Sequence, residues 1–173
     1  MKKALSLFLA LFLLTLSCCA FAADGEDEPS RTGEDLIHTE ILNPMNDFRF
    51  IIIPGDPDAM AELEKLEAET DRLAFFGPAR DAIVAITGPN GAIKEFAGCI
   101  CENYEESMGP MTIGMTFPKP FEEGARVAVV IKAGDEWTVF EAGGSAAGSV
   151  TVTFDPATLL KIQEGGGMIA VIA

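Results

Sequence analysis

Histidine is almost missing from this chain, with His38 the only one in 173 residues. A Ser-His-Asp or Cys-His catalytic system would have to use that one imidazole. On a strand, His38 shares parity with Leu36 and Glu40, the mixed and wetter face, which argues against a catalytic role. The serines offer no nucleophile elbow either. Gly143-Gly144-Ser145-Ala146-Ala147-Gly148 lacks the G-x-S-x-G spacing, and no helical pattern follows it.

Positive charge is also scarce. Twelve Lys and Arg stand against 27 Asp and Glu, a formal net charge of −15. Such a chain is repelled by nucleic acid and by anionic membrane surfaces, whereas basic partners or cations remain compatible with it. Long apolar runs are confined to the N-terminus, and no later stretch could cross a bilayer. The glycines lack P-loop and dinucleotide spacing, the acids lack a calcium-loop pattern, and the cysteines lack zinc-finger spacing. Nothing in these patterns calls for a cofactor, and an enzyme is not expected.

What is present begins with an address. Met1-Lys2-Lys3 precedes an apolar run from Ala4 to Leu16, and Ala20-Phe21-Ala22 supplies small residues where a signal peptidase reads. The pattern predicts a signal peptide over 1–22, cleaved near Ala22, and a secreted, periplasmic or cell-surface protein. Leu16-Ser17-Cys18-Cys19 also resembles a lipoprotein box that would anchor a lipid at Cys19, although Cys18 stands where Gly, Ala or Ser is usual. Residues 23–34 crowd Asp24, Glu26, Asp27, Glu28 and Glu34 among Gly, Pro and Ser, a composition that predicts a disordered acidic linker. A single domain is expected over 35–173.

Cleavage after Ala22 would leave two cysteines, Cys99 and Cys101. That is no disulfide framework, so a packed core must hold the domain. Strand patterns run over Leu36–Leu42 and Phe48–Ile53. Asp56 and Pro57 then open an amphipathic helix, predicted to about residue 70, with Met60, Leu63 and Leu66 as its apolar stripe. Asp81–Thr87, Gly88-Pro89-Asn90-Gly91 and Ala92–Ala97 read as a hairpin. Met111–Phe117 and Ser149–Phe154 alternate strictly, and Ala125–Lys132 has apolar residues at both parities, as if covered on two sides. Asp155–Leu160 reads as a short helical turn, and Met168–Ile172 as a last strand. Eight or nine short strands with one helix predict a mainly β, antiparallel two-sheet sandwich.

From Asp81 to Ala173 the cadence is familiar. Met111–Pro118, Val127–Lys132, Trp137–Ala142, Val150-Thr151-Val152-Thr153-Phe154 and Ile169-Ala170-Val171-Ile172 follow in order. This resembles the Ig-like β-sandwich modules near the C-termini of many bacterial secreted and surface proteins. The long Gly-rich segment from Asp155 to Gly167 departs from their pattern. The resemblance implies a structural or adhesive role and carries over no site residues.

Cys99-Ile100-Cys101 is the most distinctive local feature. On a strand both thiols lie on one face. They are read as buried apolar residues, as a strained disulfide, or as soft-metal or redox ligands. Met108 and Met111 follow, and thioethers with thiolates suit Cu(I). The candidate metal residues are therefore Cys99, Cys101 and Met108. The expected function is a non-catalytic secreted or envelope module acting in binding or as a structural element, with a protein or envelope partner. Its loop candidates are Pro118–Gly124 and Gly143–Gly148. The alternative is an extracytoplasmic copper or thiol-redox protein.

Overall fold

A computed structural model describes residues 37–43, 47–118, 121–122, 124–144 and 148–173. The predicted signal peptide, the lipid box at Cys19 and the acidic linker lie outside the described residues. So do parts of both candidate loops. Every described residue falls within one compact unit, Gly33–Ala173.

The strands are β1 (His38–Ile41), β2 (Arg49–Ile53), β3 (Ile93–Glu102), β4 (Met111–Thr116), β5 (Val127–Ala133), β6 (Glu136–Gly144), β7 (Ser149–Phe154) and β8 (Gly167–Ile172). The helices are α1 (Pro57–Ala68), α2 (Arg80–Thr87) and α3 (Pro156–Gly165), with 3-10 segments at Arg72–Ala79 and Glu106–Met108. The fold is mainly β. All eight strands join one antiparallel sheet in the order β1-β4-β7-β6-β5-β8-β3-β2, curled until it is nearly barrel-shaped. Period-two patterning predicts a sandwich of two sheets. A short pairing of β6 with β7, Gly143 opposite Thr151 and Gly144 opposite Val150, links the two halves into one order. At the far ends of the order, the Thr39 hydroxyl donates to the Phe50 carbonyl at 2.8 Å, so β1 and β2 meet through a side chain.

Alternation explains the interior. Met111, Ile113 and Met115 of β4, Val150, Val152 and Phe154 of β7, and Val127, Val129 and Ile131 of β5 all turn inward and are buried together. Phe154 stacks on Phe50 at 5.3 Å and meets Phe140 edge-on at 4.9 Å. The opposite parity of β5, Ala128 and Val130, is buried too. It packs with Phe96, Ala170 and Ile172 beneath Leu66, Leu73, Phe76 and Ile83 of the helical segment. The two-sided apolar pattern of β5 thus has a covering layer, as expected.

That layer corrects the reading of Asp81–Thr87. The segment is helix α2, and Gly88-Pro89-Asn90-Gly91 turns from a helix into β3. A short apolar run cannot be assigned to strand or helix by periodicity alone. Here the apolar outer face of β5 and β8 decides, because Ile83 is fully buried in the cluster that covers it. Gly88, at φ +83°, ends the helix in the left-handed region that glycine tolerates, and its N–H bonds back to the Val84 carbonyl at 2.8 Å.

The first predicted helix is present and capped by Asp56, whose carboxylate accepts from the Asp58 and Ala59 N–H groups at 3.1 and 3.0 Å. Its buried residues are Ala59 and Leu66, whereas Met60 is 43% exposed. The apolar stripe is therefore Ala59-Leu63-Leu66, with Ala59 in place of the expected Met60. The helical turn after Asp155 is longer than its pattern suggests. It runs ten residues as α3 and lays Leu159 and Ile162 into the interior cluster. Among the described residues there are thus three α-helices, where one helix and a short helical turn were expected.

Candidate functional site

The turn between β5 and β6 organises the recesses of this surface. Gly134 stands at φ +70°, which lets Lys132-Ala133 reverse into Glu136-Trp137 with Ala133 paired to Glu136. Asp135, at the tip, lines three neighbouring depressions. One, of about 360 Å³, lies between the start of α1 and the Gly165-Gly166-Gly167 connection, with Asp56, Asp58 and Lys132 on its walls. A second is wider and more open, bounded by Glu136, Lys161 and Glu164. The third, about 250 Å³, is walled by Phe76, Pro78, Ala79 and Trp137.

Charges around these recesses are only partly matched. Lys132 sits 3.6 Å from Glu62 and 5.7 Å from the centre of the Trp137 ring. Glu62 also accepts from Lys65 at 2.9 Å, and that bond, joined by the field of Lys132, holds its carboxyl below the usual range against the opposing effect of burial. Lys161 approaches Glu136 at 3.8 Å in an exposed pair. Asp56 is committed to capping α1. Its side chain also rests on Gly98, where an added Cβ would stand 2.7 Å from the Asp56 Cβ. Among the described residues Asp135 has no ion-pair partner.

Of the sequence-predicted metal residues, Cys99 also lines the recess of about 360 Å³, whereas Cys101 and Met108 line none of the three. Cys99 and Cys101 do share one face of β3, the inward one, and both are buried, free thiols. Burial pushes Cys99 up to about 12, helped by neighbouring Cys101 and Asp56. Burial and then Glu102 push Cys101 up to about 11. These thiols are protonated at neutral pH and poor nucleophiles. Met108 closes a short 3-10 segment and is buried in the same interior cluster. No group of three His, Cys, Asp or Glu side chains among the described residues is arranged to hold a metal ion.

The neighbouring polar groups serve the fold. Gln163 accepts from the Tyr104 N–H at 2.6 Å and donates to its carbonyl at 3.0 Å, fastening α3 to the end of β3. The Tyr104 hydroxyl donates to the Gly109 carbonyl at 2.7 Å. Asp155 caps α3. Burial alone would raise its pKa, but bonds from the Thr158 N–H and hydroxyl at 2.9 and 2.8 Å outweigh burial and hold it below the usual range. His38 is exposed on β1, opposite Thr116, as its parity predicts. Nothing links it to Cys99 or Cys101.

The recess around Asp135 was missed in the sequence because its walls come from distant segments. A local signal exists in Phe75-Phe76-Gly77-Pro78 and in Asp135-Glu136-Trp137, each placing aromatic rings beside a turn. The fold defines a class, an antiparallel and nearly closed β sheet with a helical cover on one side. Compared with protein-family models, with curated proteins and with solved structures, the chain finds no match in any of the three. Among the described residues no helix is long and apolar enough to cross a membrane.

Proposed function

We propose that this chain is a non-catalytic module of the secreted or cell-envelope kind, acting by binding or as a structural element, as the Ig-like modules resembling its C-terminal half do. One observation carries the reading. The curled sheet is filled to its centre by Phe50, Ile113, Phe154 and their neighbours, while recesses gather on the outside around the β5–β6 turn. Filled interiors suit modules that meet partners with their surface. The acidic composition favours a basic protein partner over nucleic acid.

The test is export followed by cross-linking. Full-length chain made in a bacterial host should reach the envelope or medium, and its intact mass should place the new N-terminus at Ala23. A lipid-modified Cys19 would move it to the anchored class. In situ cross-linking should give a discrete, stoichiometric adduct that survives Cys99→Ser/Cys101→Ser. Retention of the uncut chain in the cytoplasm, with no adduct, would overturn the reading.

A soft-metal or thiol-redox reading keeps one point in its favour, the shared inward face of Cys99 and Cys101 with Met108 in the same cluster. Burial works against it, since a metal must displace protons that the thiols hold up to about 12 and about 11. Cu(I) binding equal in wild type and the double serine variant would remove it.

A further inference from the structure

The kinked 3-10 segment and the start of β6 enclose the pocket of about 250 Å³. Its walls are apolar. Phe76 is fully buried beneath it, and Trp137 meets Phe76 edge-on at 5.0 Å and Phe75 at 5.9 Å. Gly77, at φ +53° and ψ −123°, breaks the helical path so that Pro78 and Ala79 form the facing wall. Asp135, Glu136 and Thr138 supply the polar rim. A pocket below about 300 Å³ is small for a drug-sized ligand, but its volume has room for one long side chain.

We infer that this pocket receives an arginine or lysine side chain from a basic polypeptide, with the alkyl stem against Trp137 and Pro78 and the cationic head at Asp135 and Glu136. This rests on the binding-module reading above and names the chemistry of its partner. Three observations converge. Long cationic side chains bury their stems on apolar surface while keeping the charge at the rim. Indole faces attract cations, and this ring already hosts one from within the chain, Lys132 at 5.7 Å. Lys132 lines the neighbouring depression and not this pocket, so it does not fill the place. Charge complementarity points the same way, because Asp135 has no ion-pair partner among the described residues and the chain as a whole carries −15. A competing cation at the rim, Lys161, stands 3.8 Å from Glu136 in an exposed pair that a partner displaces at little cost.

Trp137 is the only tryptophan, so its fluorescence reports the pocket directly. Exported full-length protein titrated with a short oligoarginine peptide, capped at both ends, should show a saturable change that weakens with added salt. Asp135→Asn/Glu136→Gln should weaken that binding by about fivefold or more. A charge-matched control at exposed residues of α1 that do not line the pocket, Glu64→Gln/Glu67→Gln, should weaken it less than about twofold, since exposed charges without direct contact are screened by salt. An oligoglutamate peptide should leave the emission unchanged. No saturable change, or equal weakening in both variants, overturns the assignment of this pocket. The two readings fail separately. An envelope adduct that persists while the peptide is ignored removes only the pocket, and peptide binding without any adduct removes only the module.

Discussion

The two faces of the sheet are built by different means. The inner face is made mainly by strands, with β4, β5 and β7 each contributing alternate side chains to one packed interior that Leu159 and Ile162 of α3 also enter. The outer face of β3, β5 and β8 is dry only because residues 57–87 lie across it as a helical layer. Strand periodicity creates the first. The second depends on a distant segment meeting apolar residues that the strands leave uncovered. The inner face should therefore set the stability of the sheet, and the outer layer should stand or fall with it.

The largest effect tests that dependence. Phe154→Ala, in the interior, should cost about 3–5 kcal/mol, and Ile83→Ala, in the outer layer, about 2–5 kcal/mol, read from urea unfolding. Trp137 reports the outer layer, and far-ultraviolet dichroism reports the whole. The two transitions should coincide in both variants. An earlier fluorescence transition in Ile83→Ala would show that the layer melts alone.

Alkaline pH should attack the inner face selectively. The thiols of Cys99 and Cys101 have ordinary values of 9.0, raised in the fold to about 12 and about 11. Raised values mean that the folded state holds protons which the unfolded state releases. Stability is full below about pH 9 and should then fall, by about 1.4 kcal/mol per pH unit for each thiol, until the folded values are passed. Cys99→Ala/Cys101→Ala should flatten that decline. Native protein at pH 8 should resist thiol reagents that label it at once in denaturant.

Next in size comes Asp155→Ala, which removes the cap of α3 and should cost about 0.5–2 kcal/mol near neutrality. The Asp155 carboxyl is held below its ordinary 3.8. Its contribution is therefore present above that value and lost as pH falls through the depressed one, so wild type and variant should converge in acid. The smallest effect belongs to Thr39→Val. Loss of the hydroxyl that bridges β1 to β2 should cost about 0.5–1.5 kcal/mol and leave the outer layer's fluorescence unchanged.

The same contrast explains what could be read in advance. Strands β4, β5, β7 and β8 were legible because alternation is a local signal, and Asp56-Pro57 announced α1 because caps are local too. Asp81–Thr87 was not legible as helix. Its β-branched content favours a strand, and the need to cover the apolar outer face of Ala128, Val130, Ala170 and Ile172 overrules it. The same tertiary demand sets the first member of the stripe on α1, choosing Ala59 over Met60. That Cys99 and Cys101 share one face followed from strand parity. The recess at Asp135 did not, because Phe76 and Trp137 are brought together only after the layer docks.

Two residues without side chains, Gly143 and Gly144, carry the register between β6 and β7. A ribbon of eight strands rolled almost into a tube must turn a corner somewhere, and glycine lets a backbone bend sharply there. The seam that joins the two halves of this ribbon thus falls on a pair of glycines, and a Cβ added at Gly143 would meet only the Thr151 carbonyl, at 3.9 Å.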